Sequence, residues 1–451
     1  MCGIFGIYSK TNIKIELVLK CLENLQHRGK DSFGIAYLHN NNNKHIYYKE
    51  NGLIHNSQLN NNIKLLNTTI KIGIGHIKYT TSLAIPKNDK NIDSNIDFES
   101  IQPLSRKYNN NNITLVHNGN IPNTPYYDSQ YILDCLCSNG DFKENLIMFV
   151  NKIEVSYNLI IIYNDILYIV KDRNGIRPMN IAYDNENFYV SSETVALNYL
   201  NIKKNNIREI SPGEIIEIKN NTIDTIYNFP DNKSTLCVFE FLYFMSPKSF
   251  IGSNYVYEIR ERLGRILAKK ESLDKKDYIV VGVPETGIVS ARSYALYLGI
   301  EYLQLINKKD KTKNGSDRTF ILPDNKKRIE ACDKKFIFDG KGIRNKKIIL
   351  IDDTIVRGNV IKSIIKKLKL FGVSEIHIRI PAPPIINKCQ LGIAIKSKEE
   401  LLMHNKSVEQ VKKELEIDSL TYLTLDELNG VIPGDNYEEY FLERDMNFQI
   451  L

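Results

Sequence analysis

Two places near opposite ends of the 451-residue chain carry residue types that could do chemistry. The first is Cys2, directly after the initiator methionine. Methionine aminopeptidase removes Met1 before a small residue, which would give Cys2 a free α-amino group. An amine with a pKa of about 8 beside its own thiol supplies nucleophile and proton acceptor in one residue. The second is Asp352-Asp353, followed by Thr354, Val356, Arg357, Gly358 and Asn359. Loop N–H groups and a helix N-terminus can hold a phosphate there, and adjacent carboxylates can accept hydrogen bonds from vicinal ribose hydroxyls or approach a divalent cation. A Walker loop does not fit: G-x-x-x-x-G-K-[ST] is absent and the acids precede the loop.

The elements around these residues say where they would sit. Ile348 to Ile351 reads as a strand buried on both faces, with the acidic pair at its carboxyl end, where an open α/β sheet places its ligand. A helix is expected over 360–371. Another buried strand, Tyr278 to Val283, runs into Pro284-Glu285-Thr286-Gly287, a strand-to-helix turn in which Thr286 could also be an N-cap. A helix over 254–270 has Tyr257, Ile259, Leu263, Ile266 and Leu267 on an apolar side and arginines opposite. Glu375 to Ile380 alternates as a strand, and 398–416 reads as helical. The first half is different. Short strands follow one another, with Leu159 to Tyr163 paired to Ile166 to Val170 across Asn164-Asp165, and helices are expected near 14–26 and 128–151. The pattern changes around Phe229-Pro230-Asp231. The expected architecture is therefore stacked antiparallel sheets between helices over 1–230, followed by an α/β domain with a mainly parallel sheet and a helical C-terminal extension over 231–451. Asparagine runs at 40–43, 60–62 and 109–112 read as loops or turns.

Composition excludes more than it selects. No apolar run is long enough to span a bilayer and there is no basic-then-apolar leader, so a cytoplasmic protein without a membrane partner is expected. Seven irregularly spaced cysteines do not suggest a disulfide framework. A net charge of +7 is modest for this length and fits a lysine- and asparagine-rich base composition; no nucleic-acid partner is expected.

Three further stretches, Gln26 to Ala36, Gly73 to Thr81 and Leu115 to Asn120, together with Cys2 resemble the glutamine amidotransferase domain of the N-terminal nucleophile class, from residue 1 to about 230. The resemblance implies that Cys2 attacks the glutamine side-chain amide, with the Asn118 side chain and Gly119 N–H as oxyanion hole and Asp128 on the substrate ammonium. His76 and Lys78 fall in the family's G-H-x-R-Y segment, whose arginine grips the glutamine carboxylate. Lysine keeps the charge but loses the fork, so a higher KM for glutamine is expected. Gln130 stands where the family has glutamate. Asn118-Gly119 also reads as a hairpin turn.

In the second half, IDDTIVRGNV resembles the phosphate and ribose loop of type I phosphoribosyltransferases, whose glutamine-dependent branch is close to V-D-D-S-I-V-R-G-T-T. Asn359 and Val360 replace the two threonines, which implies weaker phosphate binding. Thr286 matches the serine of a P-D-S-G turn and would join Asp352 and Asp353 around Mg2+. Arg318 closes a segment resembling a basic lid, lengthened here over 307–317. The likeness covers nearly the whole chain in the order of the glutamine-dependent phosphoribosyl amidotransferases. It implies conversion of glutamine and 5-phosphoribosyl diphosphate to 5-phosphoribosylamine, glutamate and pyrophosphate, the first committed step of purine synthesis. It further implies a homotetramer with purine nucleotides as feedback inhibitors. Cys237 and Cys389 match two ligands of a 4Fe-4S cluster found in one subgroup; 431–435 lacks the terminal pair, so no cluster is expected. A hexosamine-forming amidotransferase shares the first domain but lacks the paired-aspartate loop. The remaining rival is a weakened homologue acting as a nucleotide-sensing or RNA-binding regulator.

Overall fold

A computed structural model describes residues 1–38, 44–79, 100–230, 234–309, 336–340, 342–389, 391–393, 395, 397–432 and 437–438. Among these the first half builds two antiparallel sheets. Its strands are β1 (Gly3–Lys14), β2 (Ser32–Leu38), β3 (His45–Asn51), β4 (Thr69–Lys78), β5 (Leu104–Tyr108), β6 (Asn111–Asn120), β7 (Ser156–Tyr163), β8 (Ile166–Lys171), β9 (Asn180–Tyr183), β10 (Asn187–Ser191), β11 (Ile207–Glu209), β12 (Ile215–Lys219) and β13 (Thr222–Tyr227). One sheet has the order β11-β9-β10-β1-β4-β2-β3, the other β13-β12-β8-β7-β6-β5.

The isoleucine runs explain the stacking. Along β7, Ile160 and Ile162 point into the layer between the sheets while Ile161 points outward into a second core, because strand side chains alternate. The outer face of the first sheet is closed by Val18, Leu19 and Leu22 of α1 (Glu16–Asn24). The outer face of the second is closed by α2 (Asp128–Leu136) and α3 (Phe142–Lys152), while α4 (Thr194–Tyr199) joins α1 on the first. The single helical stretch expected over 128–151 is therefore two helices. Asp141 starts the second by accepting from Lys143 and Glu144 N–H groups at 2.8 and 3.2 Å. Asn109, Asn110 and Asn164 take positive φ in the turns, a conformation asparagine tolerates. Asn40 to Asn43 lie outside the described residues.

The second half adds β14 (Leu236–Cys237), the short hairpin β15 (Phe250–Ile251) and β16 (Asn254–Tyr255), and β17 (Tyr278–Gly282), β18 (Glu301–Tyr302), β19 (Ile306–Lys308), β20 (Phe336–Phe338), β21 (Lys347–Ile351), β22 (Glu375–Ile380) and β23 (Ser419–Tyr422). A parallel sheet in the order β18-β17-β21-β22-β23 carries α5 (Val256–Lys269), α6 (Gly287–Leu298) and α7 (Asn359–Leu370). From β17 the chain crosses through α6 to β18 on one side and later returns to β21 on the other. The crevice between the ends of β17 and β21 is thus a topological switch point, where such sheets bind ligands. The architecture expected from the sequence, stacked antiparallel sheets between helices followed by an α/β part with a parallel sheet, is the one observed.

Three local expectations need correcting. Tyr257 is 40% exposed, whereas Arg260, assigned to the outward side of α5, is 2% exposed. Residues 398–407 form turns, and only Val408–Leu415 (α8) is helical in that stretch. Asn118 and Gly119 belong to β6 and pair with Asn158 and Tyr157, so they are not a hairpin turn.

Candidate active site

Cys2 precedes β1, His76 and Lys78 end β4, and Asn118 and Gly119 end β6. By the alternation that sends Ile4, Ile74 and Val116 into the layer between the sheets, Cys2, His76 and Asn118 face one end of that layer. The Cys2 thiol lies 3.5 Å from Tyr79 N–H and 3.8 Å from Tyr79 C=O, and Arg28 Nε donates to the Cys2 carbonyl at 2.9 Å. Asn118 is 1% exposed, yet neither its Oδ1 nor its Nδ2 has a partner among the described residues. A buried primary amide left unpaired carries a desolvation cost that a bound oxyanion would relieve. Gly119 has no room for a side chain: a Cβ would lie 2.1 Å from Ser156 C=O.

Asp128 opens α2, accepting from Ser129 N–H at 2.8 Å, with His117 Nδ1 3.8 Å away. His76 is fully buried behind this surface, its ring unpartnered among the described residues. Burial, then Lys78 and His117, holds it well below its ordinary pKa, so it is neutral at pH 7. Lys78 Nζ donates to Ser100 C=O at 3.0 Å and to the Ser100 hydroxyl, and lies 5.9 Å from the Tyr127 ring centroid.

At the switch point the Thr286 hydroxyl donates to Asp353 Oδ1, and makes no side-chain cap to α6. Thr354 donates to Asp353 Oδ2 at 2.8 Å, and Asp353 N–H to Asp352 Oδ1 at 2.9 Å. The next residues, through Asn359, wrap into α7, whose first turn follows Gly358 at φ +78°. Arg357 is held by Glu400 at 2.7 Å, and Leu402 N–H holds the Val356 carbonyl at 2.9 Å. Among the described residues no group of three or more His, Cys, Asp or Glu could hold a metal. Magnesium takes one or two carboxylates and keeps waters and substrate oxygens, so two aspartates and a hydroxyl suit Mg2+ bound together with a diphosphate. Arg318 and most of the lengthened lid lie outside the described residues; Lys308, at the lid's base, is 3.6 Å from Glu285.

A cavity of about 380 Å³ opens at these residues and extends to the first half: Asp352 to Ile361, Thr286, Arg260, Tyr243, Arg28 and Tyr79 all line it. Tyr79 and Arg28 are the residues that hold Cys2, so one wall is shared with the thiol. Several of these groups were not evident in the sequence. Arg260 Nε and Nη2 donate to Phe241 and Met245 carbonyls at 2.8 and 2.9 Å. Burial brings its guanidinium down to about 10, with Asp353 and Glu193 opposing. Burial, with Tyr79, Asp353 and Asp352 nearby, keeps the Tyr243 hydroxyl protonated. Behind them Arg28 is paired with Glu193 at 2.5 Å and Glu240 at 2.9 Å, all three fully buried. One signal was legible: Glu240 interrupts the apolar run Val238 to Leu242.

Comparison with known proteins agrees with this geometry. Residues 90–199 match the glutamine amidotransferase domain and 255–385 the phosphoribosyl transferase domain. The amidophosphoribosyltransferase of Methanocaldococcus jannaschii is 34% identical, over 95% of this chain and 93% of its own. The chain belongs to the amidophosphoribosyltransferase family. The Homo sapiens member is 30% identical over 95% of this chain and 88% of its own length. A solved structure of glutamine phosphoribosylpyrophosphate amidotransferase from B. subtilis, complexed with ADP and GMP, superimposes with a TM-score of 0.84 at 26% identity, covering 100% of this chain and 98% of that one. The chain is accordingly an enzyme of glutamine-dependent amidotransfer to 5-phosphoribosyl diphosphate in purine biosynthesis. Relatives named for that activity leave the regulatory reading without support.

Proposed function

We propose that residues 1–230 hydrolyse glutamine and residues 231–451 use the ammonia, the products being glutamate, 5-phosphoribosylamine and pyrophosphate. Cys2, freed of Met1, attacks the glutamine amide carbon. Its α-amine takes the thiol proton and returns a proton to the leaving ammonia, and water then cleaves the thioester. Asn118 Nδ2 and Gly119 N–H receive the oxyanion; the unpartnered Asn118 amide carries this assignment. Asp128 and Lys78 hold the substrate ammonium and carboxylate. His76, buried and neutral, backs the pocket.

In the second site Asp352 and Asp353 receive the ribose hydroxyls, and Thr354, Val356, Gly358 and Asn359 with the start of α7 receive the 5-phosphate. Magnesium, held by Thr286, Asp352 and Asp353 with the diphosphate, would neutralise charge on the leaving pyrophosphate. Arg318 and Arg357 add positive charge, although Arg357 must share its guanidinium with Glu400. Ammonia is protonated in bulk water at neutral pH and is then no nucleophile. The cavity between Tyr79 and the acidic loop supports a protected route for the neutral form. No 4Fe-4S cluster is assigned. A purine nucleotide offers the same ribose-phosphate chemistry as the substrate, and the B. subtilis protein was solved with ADP and GMP; we assign feedback binding of such nucleotides and a homo-oligomer, expected to be a tetramer, to this chain as well. Among the described residues no helix is long and apolar enough to cross a membrane, and we assign the enzyme to the cytoplasm.

The test is a pair of variants. Cys2→Ala should lose phosphoribosylamine formation from glutamine and keep it from ammonium salts, while Asp352→Asn with Asp353→Asn should lose both by at least about 100-fold. A Cys2→Ala enzyme still using glutamine would contradict the assignment.

A further inference from the structure

We propose that Glu240 is a positioning residue for the attack on glutamine, acting through Arg28 and Arg177; this rests on the roles assigned to Cys2, Asn118 and Gly119. Glu240 is fully buried and accepts from Arg28 Nη1 and Nη2, each at 2.9 Å, while Arg177 Nη1 lies 3.5 Å from its Oε1. Each arginine uses a further nitrogen to hold a backbone carbonyl beside the glutaminase site. Arg28 Nε fixes the Cys2 carbonyl at 2.9 Å. Arg177 Nη2 fixes the Leu391 carbonyl at 2.5 Å and so seats Gly392 against the end of β6. A Cβ on Gly392 would stand 3.2 Å from Asn120 Cβ, 3.4 Å from Arg177 Nη2 and 3.9 Å from Gly119 C=O. With φ at +104° the chain passes this close only as glycine. One carboxylate from the second half therefore holds the backbone of the nucleophile on one side and the backing of the oxyanion strand on the other.

Stability alone is a poor reason for this arrangement. Burying a carboxylate among guanidinium groups is costly, and apolar groups of similar volume often serve as well. Glu240 stands between Phe239 and Phe241, and apolar neighbours could fill the same space. What a charged cluster adds is fixed direction: two guanidinium groups anchored on one carboxylate each hold a backbone carbonyl, and catalysis is sensitive to misplacement of about 1 Å.

Glu240→Gln in the full-length, Met1-trimmed enzyme keeps the volume and removes the charge. The glutaminase kcat should fall at least about tenfold while KM for glutamine and ammonia-dependent phosphoribosylamine formation stay within about twofold. Glutamate γ-semialdehyde reads the same geometry without turnover: the Cys2 sulfur adds to the aldehyde carbon and the thiol proton passes to its oxygen, which sits in the oxyanion hole. Its affinity should fall by the factor lost in kcat, while that of the product glutamate should not. Arg177→Lys, should Glu240→Gln fail to fold, is expected to give the same split. Unchanged glutaminase kcat in a variant that keeps ammonia-dependent activity would overturn the proposal, and so would equal loss of both activities in both variants. Asn118→Ala and Cys2→Ala run alongside separate the two levels. If they keep glutaminase activity, the site assignment itself fails. If they lose it while Glu240→Gln and Arg177→Lys keep it, only the positioning role fails.

Discussion

Lys78 illustrates how one residue can carry a family's charge without its geometry. Its ammonium already donates to the Ser100 carbonyl at 3.0 Å and to the Ser100 hydroxyl, and an ammonium offers a carboxylate a point charge rather than a fork. A guanidinium at this position could keep one of those bonds and present a fork. Lys78→Arg should therefore lower KM for glutamine several-fold with kcat nearly unchanged, measured by steady-state glutamate release. A raised KM would mean that the Ser100 anchor matters more than the grip. Asn118→Ala should act on the other parameter, lowering kcat by about 10² to 10³ with little change in KM, because in the role proposed for it the amide meets charge that exists only in the transition state.

At the scale of elements, the phosphate loop and the parallel sheet behave differently. The loop from Asp352 to Asn359 is held by Glu400 and by Leu402 N–H, and a Cβ at Gly358 would come 3.1 Å from the Leu402 side chain. Its frame is fixed by packing, so restoring the two hydroxyl donors by Asn359→Thr and Val360→Thr should lower KM for 5-phosphoribosyl diphosphate several-fold without altering stability. Across the sheet, Arg379 of β22 is buried against Glu271 at 2.7 Å. Burial opposes ionisation of Glu271, but Arg379 and Tyr294 bring its carboxyl down to about 2 from its ordinary 4.5. Because the native value lies below the unfolded one, the contribution to stability is present above about 4.5 and is lost as pH falls toward 2. Glu271→Gln should cost about 3 kcal/mol at pH 7, since it strands a buried guanidinium, and should flatten the acid limb of the denaturation profile. A variant that keeps the wild-type Tm at pH 7 would show that Arg379 finds another partner.

For the molecule as a whole, what could be read in advance was what depends on local pattern. Leu159 to Tyr163 announces a strand paired across Asn164-Asp165, and Ile348 to Asp353 announces a strand buried on both faces whose end binds something. Local pattern failed where distant residues decide. Val408 begins the only helix in the expected 398–416 stretch, because the preceding residues are drawn into turns against the phosphate loop. Arg260 looked like a solvated helix residue until the carbonyls of Phe241 and Met245 claimed it. The Arg28, Glu193 and Glu240 cluster joins residues more than 150 positions apart and has no sequence period at all. The same long-range joining gives the two halves a common hydrophobic core, with Ile176 and Leu236 packed in one cluster with Ile351 and Leu402. A shared core and a cavity reaching from Tyr79 to Asp353 support the proposed transfer, in which nitrogen released at Cys2 reaches the ribose without entering bulk water. The direct measurement is isotopic. With amide-15N glutamine and an equal concentration of unlabelled ammonium at pH 7, phosphoribosylamine captured as it forms should carry almost only 15N. Label diluted to the ratio of the two nitrogen sources would contradict the account.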